Sequence, residues 1–155
     1  RSVVSRFVKN SGPVAAILAV DPHPSLIYVS ILFLGLFFWE IGGQNVPNDW
    51  IDLREDVRFG ARTIPIRFGL EQANIIIFGS IMLTLILSGV LLSLSPITFG
   101  LPFIIGFALV GFYFLLLPTI TLFRTDESSH AMILFNKASY YPLAMLVVVV
   151  IKLIF

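Results

Sequence analysis

Gln72-Ala73-Asn74-Ile75-Ile76-Ile77-Phe78-Gly79-Ser80-Ile81-Met82-Leu83-Thr84-Leu85-Ile86-Leu87-Ser88-Gly89-Val90-Leu91-Leu92-Ser93-Leu94 opens a 52-residue interval, ending at Phe123, that contains no Asp, Glu, Lys or Arg. At roughly 20 residues per crossing, such an interval can traverse a hydrocarbon core twice. Ser95-Pro96-Ile97-Thr98-Phe99-Gly100 supplies a tight uncharged turn between the two passes. The runs do not alternate in polarity as the strands of a transmembrane barrel would. The whole chain agrees with this reading: 57% of its 155 residues are hydrophobic and only 12% are charged, about half the usual charged share of a soluble domain. These features predict an all-α, polytopic transmembrane helix bundle, a single membrane domain over residues 1–155.

Working outward, five apolar segments can be marked: about Ser11 to Val20, Ser25 to Gln44, Gln72 to Leu94, Leu101 to Phe123 with Pro118 inside it, and Ala131 to Phe155. Asp21-Pro22-His23-Pro24 separates the first two, because proline lacks the amide donor and restricts its predecessor. The first segment is short for a span unless it starts earlier, with Arg6 and Lys9 snorkelling to the interface. When the five crossings alternate, Arg1, Arg6, Lys9, Arg54, Arg58, Arg62, Arg67, Arg124 and Lys137 fall on one side and Lys152 alone on the other. The richer side is then cytoplasmic. Absence of cysteine excludes disulfides and thiolate metal sites. The net charge of +1 points to no particular partner, and no nucleic acid is expected. Position 1 is Arg and no signal-peptide pattern precedes the first apolar run, so the chain is expected to begin inside a longer protein.

At the cytoplasmic boundary stands Asn45-Val46-Pro47-Asn48-Asp49-Trp50-Ile51-Asp52-Leu53-Arg54-Glu55-Asp56, with four carboxylates in eight residues. Charge is costly beside a bilayer and asks for a reason. In a continuous helix from Pro47, the side chains of Asp49, Asp52 and Asp56 fall within an arc of about 60°. Asn45 joins that arc if the helix continues backwards through Pro47. Asp52 and Asp56, four apart, repel unless a cation lies between them. Carboxylate and amide oxygens with no His or Cys nearby suit Mg²⁺, which binds one or two carboxylates and completes its shell with water and substrate phosphate. The other reading is a wetted acidic helix face partly paired with Arg54 and Arg58. Downstream, Gly60-Ala61-Arg62-Thr63-Ile64-Pro65-Ile66-Arg67-Phe68-Gly69 sets Arg62 and Arg67 between glycines. Arginine pairs with phosphate oxygens in bidentate fashion; a topogenic role holding the loop inside is the alternative.

Asn48-Asp49-Trp50-Ile51-Asp52-Leu53-Arg54-Glu55-Asp56 with Gly60-Ala61-Arg62-Thr63 resembles the second aspartate-rich motif of the UbiA superfamily of intramembrane prenyltransferases. Leu134-Phe135-Asn136-Lys137-Ala138-Ser139-Tyr140-Tyr141-Pro142 resembles the start of that family's last helix, and Ser5-Arg6-Phe7 echoes the basic stretch before its fifth. The resemblance implies helices five to nine of a nine-helix bundle, in a bacterial or archaeal plasma membrane. It further implies Mg²⁺ held by two aspartate motifs, and transfer of a prenyl group from a polyprenyl diphosphate to an acceptor, commonly aromatic as in quinone biosynthesis. By position, Asp52 and Asp56 match the family's D-x-x-x-D pair, Asp49 a place that is Asp or Asn, and Arg62 a basic residue of the flanking loop. Arg67, Arg6 and Lys9 are the further candidates for the diphosphate. Asn45, Asn48 and Glu40 are candidates for orienting a ligand or an acceptor; Glu40 is also readable as a satisfied interfacial carboxylate. The family's first motif, N-D-x-x-D, has no counterpart here, since Asp126-Glu127 lacks its spacing. The chain is therefore expected to be the C-terminal part of an enzyme whose N-terminal half carries the other motif.

Remaining expectations concern single residues. Phe33, Phe37, Phe38, Phe112, Tyr113 and Phe114 can line an isoprenoid chamber or merely pack. Gly42-Gly43 can let the helix unwind. Trp39 and Trp50 suit an interfacial belt. Asn136 and Tyr140 can reach the site or bond neighbouring helices. Two rival classes fit less well. The acidic signature of CDP-alcohol phosphotransferases begins D-G and sets A-R before its later aspartates, whereas Ala61-Arg62 follows them here. A cation transporter needs acids at the bilayer midplane between broken helices.

Overall fold

A computed structural model describes residues 3–95 and 97–154, with side chains from residue 12 onward, and every regular element among them is helical. The elements are α1 (Val3–Val20), α2 (Leu26–Ile51), α3 (Leu53–Arg58), α4 (Ile64–Phe68), α5 (Leu70–Leu94), α6 (Leu101–Thr125) and α7 (Ser128–Ile154). Among the described residues four helices, α2, α5, α6 and α7, are long and apolar enough to cross a membrane, at 26, 25, 25 and 27 residues. The chain is an all-α polytopic bundle and an integral membrane protein. Of the five expected crossings, the last four are these. The first lies on α1, an 18-residue helix with Pro13 inside it, packed along α2.

The core is a stripe, as helical periodicity requires. Ala73, Ile77 and Ile81 of α5, Leu115 and Leu122 of α6, and Ala131, Leu134 and Ala138 of α7 recur at three-, four- and seven-residue intervals and are fully buried, with Val46 of α2 among them. Off the stripe, Leu83, Ile86, Leu109 and Leu146 are exposed, as suits a surface whose solvent is lipid. Since lipid tails are as apolar as leucine, helix association in a membrane rests on close packing and hydrogen bonds. Gly42 and Gly43 supply the first. A Cβ on Gly42 would stand 2.8 Å from the Cβ of Ser80 and 3.0 Å from the Ile77 carbonyl oxygen; one on Gly43 would stand 2.8 Å from the Cβ of Ala138. The pair lies in a turn of α2 that widens to a π-helix, and it lets α2 touch α5 and α7. Gly42→Val is accordingly expected to destabilise the bundle by about 1–3 kcal/mol through overpacking, read as a lower thermal midpoint in detergent. Gly79→Val, where an added Cβ meets nothing within 4 Å, should leave the midpoint within error.

Prolines shape the spans in a way composition conceals. A proline lacks an N–H, and its ring collides with the carbonyl four residues back. In α2 the turn Glu40–Asn45, just before Pro47, widens to a π-helix, so that the Val46 N–H donates to the Ile41 carbonyl. In α6 the turn Phe112–Leu116, just before Pro118, does the same, with the Leu117 N–H donating to Phe112. The Gly43 carbonyl, which Pro47 leaves without its helical donor, accepts from the Gln44 side-chain amide at 3.1 Å. In α7, Pro142 leaves the Ala138 carbonyl bare, and the Trp39 indole N–H of α2 donates to it across the helix interface at 3.0 Å. Buried backbone groups are thus satisfied by neighbours, as a membrane interior demands.

Candidate functional site

Polar residues gather at one end of the bundle. The second span does not stop at Gln44 as its hydropathy suggests but runs on to Ile51, so the first half of the acidic motif is helical and continuous with the membrane span. Asn74, buried near the start of α5, donates its amide to the carboxylate of Asp126. Asp126 adopts a left-handed conformation (φ 54°) to end α6, one that Asp tolerates better than most residues. The end of α2, the start of α5, the end of α6 and the start of α7 are therefore neighbours. At the opposite end, Asp21, Pro24 and Tyr28 share a groove with Leu94.

Within the motif, the expected single arc of carboxylates is interrupted. Asp52 has φ −85° and ψ 7°, outside helical geometry, and divides α2 from α3. Its N–H still donates to the Asn48 carbonyl at 3.0 Å, and its own carbonyl starts α3 by accepting from Glu55 and Asp56, both at 2.9 Å. Asp49 is buried with 8% of its surface exposed, Asp52 and Asp56 are half-buried, and Glu55 is exposed. The Asn48 side-chain amide donates to one carboxylate oxygen of Asp52 at 3.0 Å, which leaves the other carboxylate oxygen of Asp52 and the side-chain amide oxygen of Asn48 as hard acceptors on the same turn. Among the described residues no three His, Cys, Asp or Glu side chains come close enough to hold a metal ion between them. This donor set fits Mg²⁺ in its usual manner, through one or two carboxylates with the rest of the shell from elsewhere. It is not a cage.

Other sequence candidates scatter. Glu40 begins the π-turn of α2 and is buried, 5% exposed. Because α2 runs to Ile51, Glu40 lies about 16 Å along the helix from that end, deeper than one turn. Asn45 ends the same turn, half-buried. Arg62 is exposed on the loop before α4, and the Arg67 guanidinium lies 5.3 Å from the centre of the Phe68 ring. Neither pairs with a carboxylate among the described residues. Thr63, next to Arg62, has a buried hydroxyl with no hydrogen-bond partner among the described residues. Arg6 and Lys9 lie on α1, where side chains fall outside the described residues.

The six aromatic candidates do not share one chamber. Phe33 lines a groove between α1 and α2, while Phe112 lines another between α5 and α6. A cavity of about 260 Å³ does open inside the bundle, lined by Leu36 and Trp39 of α2, Thr84 and Ser88 of α5, Phe107 of α6 and Tyr141 of α7, among others. Trp50 is not at an interfacial belt but in the core, 2% exposed, and Trp39 faces α7. Asn136 and Tyr140 are exposed; the bond to α2 is made instead by Ser139, whose hydroxyl meets the Gln44 amide nitrogen at 3.2 Å. Lys137, sorted by alternation to a membrane edge, lies inside the span of α7 with its ammonium on the Tyr113 ring.

Compared with known proteins, residues 2–148 match the model of a family described as the UbiA prenyltransferase family. No curated protein and no solved structure matches the chain.

Proposed function

The chain belongs to the UbiA prenyltransferase family, and on that premise we propose that it supplies one of two acidic motifs to an Mg²⁺-dependent transfer of a prenyl group from a polyprenyl diphosphate to an aromatic acceptor. The family implies prenyl transfer in a membrane. The finer reading rests on one observation: the Asn48–Asp52 hydrogen bond at a helix break, at the polar end of a membrane bundle. Here it fixes one carboxylate and leaves its second oxygen directed by the protein.

Asp52, with Asp49 and Asp56 on either side of the break, would hold the cation. Bound Mg²⁺ would supply charge stabilisation to a diphosphate leaving group. Arg62 and Arg67, exposed and without carboxylate partners among the described residues, have their donors available for the diphosphate oxygens. The buried Thr63 hydroxyl is a further donor on the same loop. Asn48 orients Asp52, and Asn45 and Glu40 continue the same helix inward. The bundle cavity, walled mostly by apolar side chains, would take part of the isoprenoid tail and keep water from the allylic cation. A second acidic motif would come from an N-terminal half, with residues 1–155 the C-terminal part of the enzyme. The polar end faces the cytoplasm on the distribution of arginines.

Chelation tests the metal step. Transfer from geranylgeranyl diphosphate by the chain co-expressed with a segment bearing N-D-x-x-D, in nanodiscs with a mixture of aromatic acceptors, is expected to fall to background in EDTA and return with Mg²⁺. Unchanged product formation in EDTA would overturn the metal assignment.

A further inference from the structure

Tyr141 is 5% exposed, and its hydroxyl is buried without a hydrogen-bond partner among the described residues. It lies in α7, about 20 Å from Ser128 along the helix, and so inside the membrane span. A buried hydroxyl left without a partner is destabilising, and a hydrocarbon core offers no bulk water to relieve it. The residue lines the cavity of about 260 Å³ that α2, α5, α6 and α7 enclose.

Other polar groups on that wall are committed elsewhere. The Trp39 indole N–H donates to the Ala138 carbonyl at 3.0 Å, and the Thr84 hydroxyl to the Ser80 carbonyl at 2.9 Å. Ser88 remains: it is close enough to interact electrostatically with Tyr141, but the two do not meet in hydrogen-bonding geometry. The rest of the wall, Leu36, Phe107 and Met145 among it, is apolar, and none of the described lining residues is charged. Water would fill such a space poorly. Each molecule takes about 30 Å³ and needs two to four polar partners, whereas the cavity is several times that volume and has two hydroxyls to offer. An isoprenoid tail would cover the apolar wall and leave the phenol bare.

We infer that this cavity is a binding site for a compact, neutral, lipid-soluble carbonyl compound whose oxygen accepts from the Tyr141 hydroxyl. The uncharged wall excludes an acid or an amine, because an unpaired charge inside a bilayer is costly. A carbonyl brings no donor that would itself need satisfying. It has a second lone pair for the Ser88 hydroxyl, and its apolar body can lie against Leu36, Phe107 and Met145. On the transferase reading the isoprenoid tail enters the same cavity, so such a compound would displace it; that consequence rests on the reading above, while the binding site does not.

Camphor, a caged ketone, and bornane, the same cage without the oxygen, are the probes. With the protein in nanodiscs, tritiated camphor is expected to bind saturably above empty nanodiscs, and bornane to compete roughly 5- to 10-fold more weakly, the scale of one hydrogen bond. Tyr141→Phe should weaken camphor by that same factor and leave bornane unchanged. It should not lower the thermal midpoint, since the hydroxyl it removes has no partner among the described residues. Equal affinity of the parent for the two probes, or no saturable binding of camphor, would overturn the site. So would a midpoint several degrees lower in Tyr141→Phe, because the hydroxyl would then be held by the protein itself. Asp52→Ala should keep camphor binding while losing transfer, so the two readings fail separately. With the N-D-x-x-D segment co-expressed, camphor should raise KM for the prenyl diphosphate and leave kcat unchanged; binding without that effect would remove the tail from the cavity and leave the site in place.

Discussion

Asp52→Ala, in the protein with its second acidic motif, is expected to lower prenyl transfer by about 10³-fold, the scale on which loss of a principal charge-stabilising group acts. The effect should be large because this carboxylate is fixed twice: by the Asn48 amide on one oxygen and by its backbone, which ends α2 and begins α3. Asp52→Asn separates chemistry from folding. Its amide oxygen can still accept from Asn48, and its backbone can still turn the chain, but the charge is gone. Asn should therefore match Ala in lost turnover while keeping the parent's thermal midpoint. Turnover within tenfold of the parent in both variants would remove Asp52 from the metal site. Glu55→Gln, altering the exposed acid of the same motif, should change rates little.

The 155-residue chain purified alone is expected to transfer nothing measurable above a heat-inactivated control. Its nine acidic residues include only one cluster, and that cluster brings no three ligands together among the described residues. One or two carboxylates hold Mg²⁺ only with help from other oxygens, and a diphosphate brings its own repulsion unless a second acidic group shares the metal. Co-expression with a separate segment bearing N-D-x-x-D should restore transfer. Robust activity from the chain alone would mean that one acidic motif suffices.

Much of the architecture was legible because the hydrocarbon core imposes length and apolarity on anything that crosses it. The charge-free interval yields α5 and α6 almost to the residue. Elsewhere, polar residues were read as the end of a helix when they were its continuation: α2 runs seven residues past Gln44, since Asn45 to Asp52 face partners at the polar end rather than lipid. Pro47 suggested a break, whereas the helix absorbs it by widening one turn, a remedy that depends on Gln44 and on no sequence period. Trp50 was assigned to an interface by residue type, but it packs among Val46 and the residues of α7. Lys137 was assigned to an edge because alternation knows only the ends of segments. The aspartate motif itself was plain from charge density and family resemblance; the helix break at Asp52 was not, because propensity does not mark a half-turn whose polar groups are satisfied by the flanking helices.

The seam formed by Gly42, Gly43, Ser80 and Ala138 has a thermal consequence. Its closest contacts are made by Cβ and backbone atoms, and glycine and alanine have no rotamers to lose when they become buried. Assembly at the seam freezes almost no side-chain freedom, so warming returns little entropy by opening it. Hydrogen exchange on heating should therefore appear last in the middle of α2, α5 and α7. It should begin in α3 and the loop to α4, where Val57 and Phe59 are largely exposed.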